Sequence, residues 1–525
     1  MKKHLLLYLS ILFSSSLFAG GGEFLTWWQL PAAQTSITFN VEVASGGDLY
    51  YWWYDDISAT SGNGTFAAST SGSVTVSGVP AGGHVQLGLG PSNLNHFYIS
   101  NGPDRLLLEQ VASWGVAQWT SMDEAFYGCS NLQITSTASP NLSNCMTAQK
   151  MFKDCSSISN ITNVENWDVS SINDMLGMFQ GATQYNQNIS SWDVSNVTSM
   201  SNMFTSASLF NQPIGIWNTS SVNSFRAMFA SATSFNQDIS SWNTSNAFDF
   251  GYMFQNASAF NQPIGIWNTV NATDMGYMFN IATSFNQNIG NWNTSNVVIM
   301  YSMFDGATNF NGNIGNWNTS FVTSMQYVFS GATVFNQDIN NWNTSSVITM
   351  IGMFENATAF NQNLGSWDLT DLTIAPGMFA GSGMSCENYS NTLIGWNGLV
   401  TTPDNIDFSI NNGMFYGTNA VSARDNLINT KNWTIDGDAA SGTDCSLSVN
   451  EGENISLLTV SPNPATQNIF IQSEIEISFV ILDNNGRELF KNSVNGKQNI
   501  DVSTFAQGMY FIHTSEGETV KFIKE

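Results

Sequence analysis

The chain has 525 residues, too many for a single hydrophobic core, so several structural units are expected. Only 10% of residues are charged, and acids outnumber bases 39 to 13. The net charge of -26 excludes nucleic acid as a partner and docking on an anionic membrane, since both need clustered Lys and Arg.

Residues 1–20 read as an export signal. Lys2 and Lys3 are followed by the apolar run 5–18 and by small residues from Ala19 onward. The run is short and carries Ser14, Ser15 and Ser16, which argues against a membrane anchor, and no later segment is apolar enough to span a bilayer. Residues 22–104 show short alternating segments, with Ile37, Phe39, Val41 and Val43 in one and Val74 and Val76 in another. Gly-rich turns separate them, and a small β-sandwich is expected. It resembles PKD or immunoglobulin-like domains, with Trp53-Tyr54-Asp55-Asp56 in place of the Trp-Gly-Asp-Gly turn of PKD domains.

Residues 105–380 are dominated by a 25-residue repeat. Trp recurs at 167, 192, 217, 242, 267, 292, 317, 342 and 367, with a Met-Phe pair and an aromatic-Asn pair in step. A fixed period of this size marks a stacked solenoid. In one unit, Val197, Met200, Met203, Phe204 and Ala207 are spaced 3, 3, 1 and 3, which predicts a helix of about three turns. Pro213 ends it, and the stretch to Trp217 suits a loop and a short strand. The expected fold is therefore an α/β solenoid, helix plus short strand per coil, flanked by N- and C-terminal β-sandwich domains.

The Asn ladder reads as structural, each side chain bonding the backbone of the next loop. The Trp ladder has two readings: a buried column, or an exposed aromatic stripe that stacks on sugars. On the predicted helix the position of Asn202 lies about 200° from Met200 and faces solvent. Later units place Tyr252, Tyr277 and Tyr327 there, with Tyr301 one residue earlier and Arg226 one coil before them. These five residues are the candidate binding site, because Tyr is an effective interface residue.

The unit W-N/D-x-S-x-V-x-x-M-x-x-M-F-x-x-A-x-x-F-N-Q-x-I resembles the BspA-like leucine-rich-repeat surface proteins over residues 120–436. Phe225 and Phe250 replace a Met, and Gly312 replaces the Gln. The resemblance implies a leucine-rich-repeat-like solenoid and, for some relatives, adhesion to host or matrix proteins.

Beyond the repeat, 381–436 reads as a cap with helices at 387–396 and 421–429, and 437–456 as a polar linker. Residues 457–525 read as a compact β-sandwich that resembles the C-terminal sorting domain of type IX secretion. The carrying residues are Ser461-Pro462-Asn463-Pro464-Ala465, Asp483 to Arg487, Gly508-Met509-Tyr510, Lys521 and Lys524. This implies the outer-membrane type IX secretion machinery as a partner, and a secreted or cell-surface product.

No catalytic constellation is legible. His occurs only at 4, 84, 96 and 513, and Arg226 is the only basic residue between Asp154 and Ala423. The Asp238, Asp305 and Asp338 carboxylates read as solvent-facing loop positions, and Asp55-Asp56 is a weak cation signal. The five cysteines fit no metal motif; Cys129 and Cys155 read as small buried residues, with a bridge between them as the alternative. The expectation is a non-enzymatic exported protein without cofactor or metal that binds an extracellular protein. A carbohydrate-binding accessory protein is the alternative.

Overall fold

Alternation of apolar and polar residues shapes the N-terminal strands. In β1 (Phe24–Gln29), Phe24, Thr26 and Trp28 are buried while Leu25, Trp27 and Gln29 face the other way. β2 (Ser36–Val43), β3 (Leu49–Asp55), β4 (Thr60–Phe66), β5 (Ser71–Ser77), β6 (His84–Leu89), β7 (Leu94–Tyr98) and β8 (Leu108–Ser113) follow. With the two-residue β9 (Gln133–Ile134) they form a six-stranded sheet, β4-β3-β6-β1-β8-β9, and a three-stranded sheet, β5-β2-β7. Phe24 meets Phe97 and Trp28 meets Phe39 between the two sheets.

The computed structural model describes residues 22–410, 413–445, 458–483, 486–515 and 519–525. The expected export signal lies outside these residues, as does the linker from 446 onward. The chain divides after Cys445 into two units.

Strand β8 passes the sheet on to the repeats. It pairs in parallel with β9 (Gln133–Ile134), and Ile134 bridges Ile161. From Asp174 to Ile374 single parallel bridges then step by 25 residues, Asp174 to Ser199, Ser199 to Ser224 and onward. One apolar core runs from Phe24 to Ile435.

The coils contain no α-helix, and this overturns the expected α/β solenoid of helix plus short strand. In the unit read above, Met203 N–H bonds Met200 O and Ala207 N–H bonds Phe204 O, both closing turns across three residues. The intervening donors reach the next coil: Asn202 to Arg226 O, Phe204 to Met228 O and Ser206 to Ala230 O. None is left for the i to i−4 bonds of a helix. Asn202 and Ser206 have φ of 58° and 59°, left-handed values that stop a helix. Each sits third in its turn, where a type II turn demands positive φ. Every such turn brings residues i and i+3 to the same side, so tandem turns reproduce the 3, 1, 3 apolar spacing of a helix. The expected strand before Trp217 is also absent, and from Asp174 to Ile374 only the one-residue bridges are β structure.

The coil interior is a set of aromatic columns. Phe204 stacks on Phe210 at 3.8 Å and on Phe229 of the next coil at 5.8 Å. Each array Trp from 192 to 367 is buried and donates its indole N–H to the preceding coil, as Trp217 does to Ile189 O at 3.1 Å. This decides between the two readings of the Trp ladder: it is core. The Asn ladder is structural as read, with Asn186 Oδ1 accepting from Asn211 N–H at 2.9 Å and from Gln212.

The array ends in two helices, α1 (Cys386–Gly398) and α2 (Val421–Asn429), and a parallel pair, β10 (Met414–Tyr416) with β11 (Asp438–Ala440). Buried Asp438 accepts from Tyr389 and Arg424. A disulfide joins Cys386 to Cys445, whereas Cys129, Cys145 and Cys155 are free and buried.

The second unit is a single five-stranded sheet, not a sandwich. It comprises β12 (Thr459–Ser461), β13 (Asn468–Leu482), β14 (Glu488–Asp501), β15 (Gly508–Thr514) and β16 (Thr519–Lys524). β13 is broken by a register shift between Ser473 and Ile477; its first half pairs with β12, its second with β15, and β14 lines both. Ala465, just past β12, bridges Lys524 of β16, so the sheet rolls nearly closed around Ile471, Ile481 and Phe522.

Candidate functional site

The five candidate residues occupy two neighbouring columns of the array. Arg226 and Tyr301 share the column that also holds Gly251 and Gly276, and Tyr252, Tyr277 and Tyr327 occupy the next residue along. That second column is the left-handed position of the first turn in each coil, with φ of 62° at Tyr252, 57° at Tyr277 and 54° at Tyr327. Elsewhere the same position holds Gly177, Asn202, Gly352 and Gly377, residues suited to it, but also Ala227 and Ser302, each with φ of 52°. A ring there costs roughly 1–2 kcal/mol of backbone energy. The placement departs from the expectation: these side chains project from turns, not from a helix face, and Tyr252, Tyr277 and Tyr301 are half-buried.

Three of the tyrosines meet. Tyr252 stacks on Tyr277 at 4.7 Å and 17°, and Tyr277 meets Tyr301 edge-on at 5.2 Å. The Arg226 guanidinium lies 4.8 Å from the Tyr252 ring centre. Tyr327 is 37% exposed, and its ring lies over Gly352.

Two residues overlooked at the sequence level complete the cluster. Arg226 Nη1 is 3.0 Å from Asp274 and 3.5 Å from Asp249. Each Asp also receives the backbone N–H two residues on, Gly251 at 3.0 Å and Gly276 at 2.9 Å. A side chain at Gly251 would collide with the guanidinium. The signal was legible: Gly-Tyr-Met-Phe recurs at 251–254 and 276–279, each two residues after an Asp. Burial pushes the Asp249 carboxyl above its ordinary pKa, with the Gly251 N–H and Arg226 pulling the other way. Burial opposes the charge on Arg226, but Asp249 and Asp274 offset this and raise its pKa.

The arrangement offers rings, phenol hydroxyls and a fixed ion-pair cluster, with no nucleophile beside a base. The other acids have structural tasks. Asp238 and Asp338 are exposed and cap turns through Ser240 and Asn340 N–H; Asp305, in contrast to the expectation, is half-buried. Asp55 accepts from Ser58 and His84 N–H. Among the described residues no group of three or more His, Cys, Asp or Glu is placed to hold a metal.

The family model described as "Mycoplasma protein of unknown function, DUF285" matches residues 99–212, 147–257, 186–292 and 280–392. Together these cover 99–392 without a gap, more than half of the 525 residues. The chain belongs to the DUF285 family. All five candidate residues lie inside the DUF285 array. Residues 459–525 match the secretion system C-terminal sorting domain, the rolled sheet of the second unit. That domain directs the chain to the type IX secretion machinery and the outer cell surface. No curated protein matches the chain. Among the described residues no helix is long and apolar enough to cross a membrane.

Proposed function

We propose that this exported repeat protein is an adhesin, whose DUF285 array binds an extracellular protein through the row formed by Tyr252, Tyr277 and Tyr301, with Tyr327 at its edge. The observation that carries the reading is the run of rings on successive coils, Tyr252 stacked on Tyr277 and Tyr277 edge-on to Tyr301. The rings stack on one another outside the coil core, with Phe248, Ile281 and Val298 also exposed on these coils. The resemblance of the 25-residue unit to BspA-like surface repeats supports the same reading. Arg226 is held by Asp249 and Asp274, so it braces Tyr252 and is not a free charge for the partner.

We further propose that the protein works without catalysis. The array offers no His, and between Asp154 and Ala423 its one cation, Arg226, is held by Asp249 and Asp274, so general acid–base and nucleophilic schemes lack their parts.

The test is a variant with Ser at 252, 277, 301 and 327, compared with the parent for binding to immobilised extracellular-matrix extract and to intact cells. Binding is expected to fall at least tenfold with an unchanged melting profile. Equal binding by the folded variant would overturn the assignment of the row.

A further inference from the structure

The six-stranded sheet buries one face in the core and turns the other away from it. Phe24, Trp28, Leu49, Trp53, Val85 and Leu87 point inward. Strand alternation therefore puts Trp27, Tyr54 and Gln86 on the opposite face. Tyr54 pairs with Gln86, Gln86 with Trp27, and Trp27 with Gln110. Four successive strands thus carry, in register, the row Tyr, Gln, Trp, Gln.

Three features set this row apart from a surface that merely tolerates aromatics. First, Trp27 is half-buried and its ring lies parallel to His84, at 4.6 Å and 16°. His84 Nδ1 is held at 3.0 Å by Asp56, and its Nε2 lies 3.8 Å from Glu109. The indole is thus backed by a fixed ring. Second, each array indole from Trp192 to Trp367 bonds a carbonyl, whereas the Trp27 N–H and the Gln86 amide have no side-chain hydrogen bond among the described residues. Third, in the next row Gly88 supplies no side chain, and the Trp52 ring packs into the space this leaves, only 8% exposed, so a buried ring closes that end of the row.

We propose that this face is a binding platform for a neutral polysaccharide, with Trp27 and Tyr54 stacking under sugar rings and Gln86 bonding hydroxyls between them. The two rings are separated by two strand spacings, about 10 Å, which places them under different sugars of one chain. Amides and an indole N–H match hydroxyls, which both donate and accept. The flanking carboxylates of Asp56 and Glu109, on a chain of net charge -26, repel acidic polymers. The site is separate from the tyrosine row of the array, and either assignment can fail without the other.

The test is affinity electrophoresis of the exported chain in gels containing β-glucan, xylan, mannan or soluble chitosaccharide, with alginate as the acidic contrast. Retardation is expected in at least one neutral gel and none in alginate. Trp27→Ala and Tyr54→Ala should each weaken it at least tenfold and Gln86→Ala about fivefold, while Tyr277→Ser leaves it unchanged. Gln86→Ala removes only an amide outside the core, so it decides the matter if an aromatic variant fails to fold. Absence of retardation in all four neutral gels, retardation only in alginate, or undiminished retardation of the folded variants would overturn the proposal.

Discussion

At the scale of the residue, the array separates what a position requires from what its side chain is for. The left-handed position of the first turn favours Gly or Asn on backbone grounds, yet Tyr252 and Tyr277 occupy it, as do Ala227, Ser302 and Tyr327. Two replacements at 252 should therefore differ. Tyr252→Ser removes the ring but keeps a Cβ at positive φ; Tyr252→Gly removes both. Thermal or denaturant melts should find the Gly variant more stable by roughly 1 kcal/mol. Equal stability would show that the backbone there is not strained. Asp305 gives a second case. It accepts from Asn280 Nδ2 at 3.2 Å, and burial, with Glu355 adding to it, raises its pKa above the ordinary value. A carboxyl whose folded pKa is raised is penalised when charged, so stability is lost as pH climbs from the unfolded value through the folded one. Asp305→Asn should accordingly raise the melting temperature at pH 7. The gain should vanish below the ordinary carboxylate value. A gain that persists at pH 3 would mean packing, not charge, is responsible.

The element scale is where sequence reasoning succeeded and failed for the same reason. Period, core residues and the helical stretches of the cap were legible, because burial writes itself directly into apolar spacing. The coil backbone was not. Turns closing across three residues and helices place the same residues on one side, so Met200, Met203, Phe204 and Ala207 fit both. The discriminating residues were the Gly and Asn at 177, 202, 352 and 377, and again at 181, 306, 356 and 381, improbable in the middle of so many helices. The candidate tyrosines were legible as a row, but Asp249 and Asp274 were not, since they reach Arg226 only once coils are stacked in the correct register. The cap carries a constraint that cysteine spacing alone did not give. Cys386 opens α1, whose N-cap Ser385 accepts from Asn388 N–H, and its disulfide to Cys445 spans 59 residues. Closing a loop of that length restricts the unfolded chain by about 4 kcal/mol. The double variant Cys386→Ser, Cys445→Ser should lose stability of that order, and reductant should destabilise the parent but not the variant. Insensitivity of the parent to reductant would show the bond contributes nothing.

At the scale of the whole molecule, sorting and array are separable by construction, because the rolled sheet of 459–525 has its own core around Ile471 and Phe522. Removing 459–525 should leave the array folded but retained in the periplasm, as fractionation and proteolysis of intact cells would show; normal surface display would rule out the sorting role. The array itself obeys a different rule. Its core is continuous from Phe24 to Ile435, but backbone pairing joins each coil only to its neighbours, through bridges that step by 25 residues. Such a stack tolerates loss of whole units and not of fractions. Deleting residues 334–358 joins Thr333 to Ala359, which occupies the place of Val334 one coil on. Phe360 then stacks on Phe310, Gly377 takes the place of Gly352 beside Tyr327, and every column is shorter by one member but unbroken. The tyrosine row lies outside the deletion. This variant should be exported, bind as the parent does, and melt in one transition displaced by only a few degrees. Deleting 334–345 instead puts Ser346 after Thr333, which throws the aromatic, Asn and turn columns out of phase for every later coil. That variant should be unfolded or degraded. If the two deletions behave alike, the coils are not held by register, and the turn-to-turn hydrogen bonds between Phe204 and Met228 and their equivalents are not what keeps the array together.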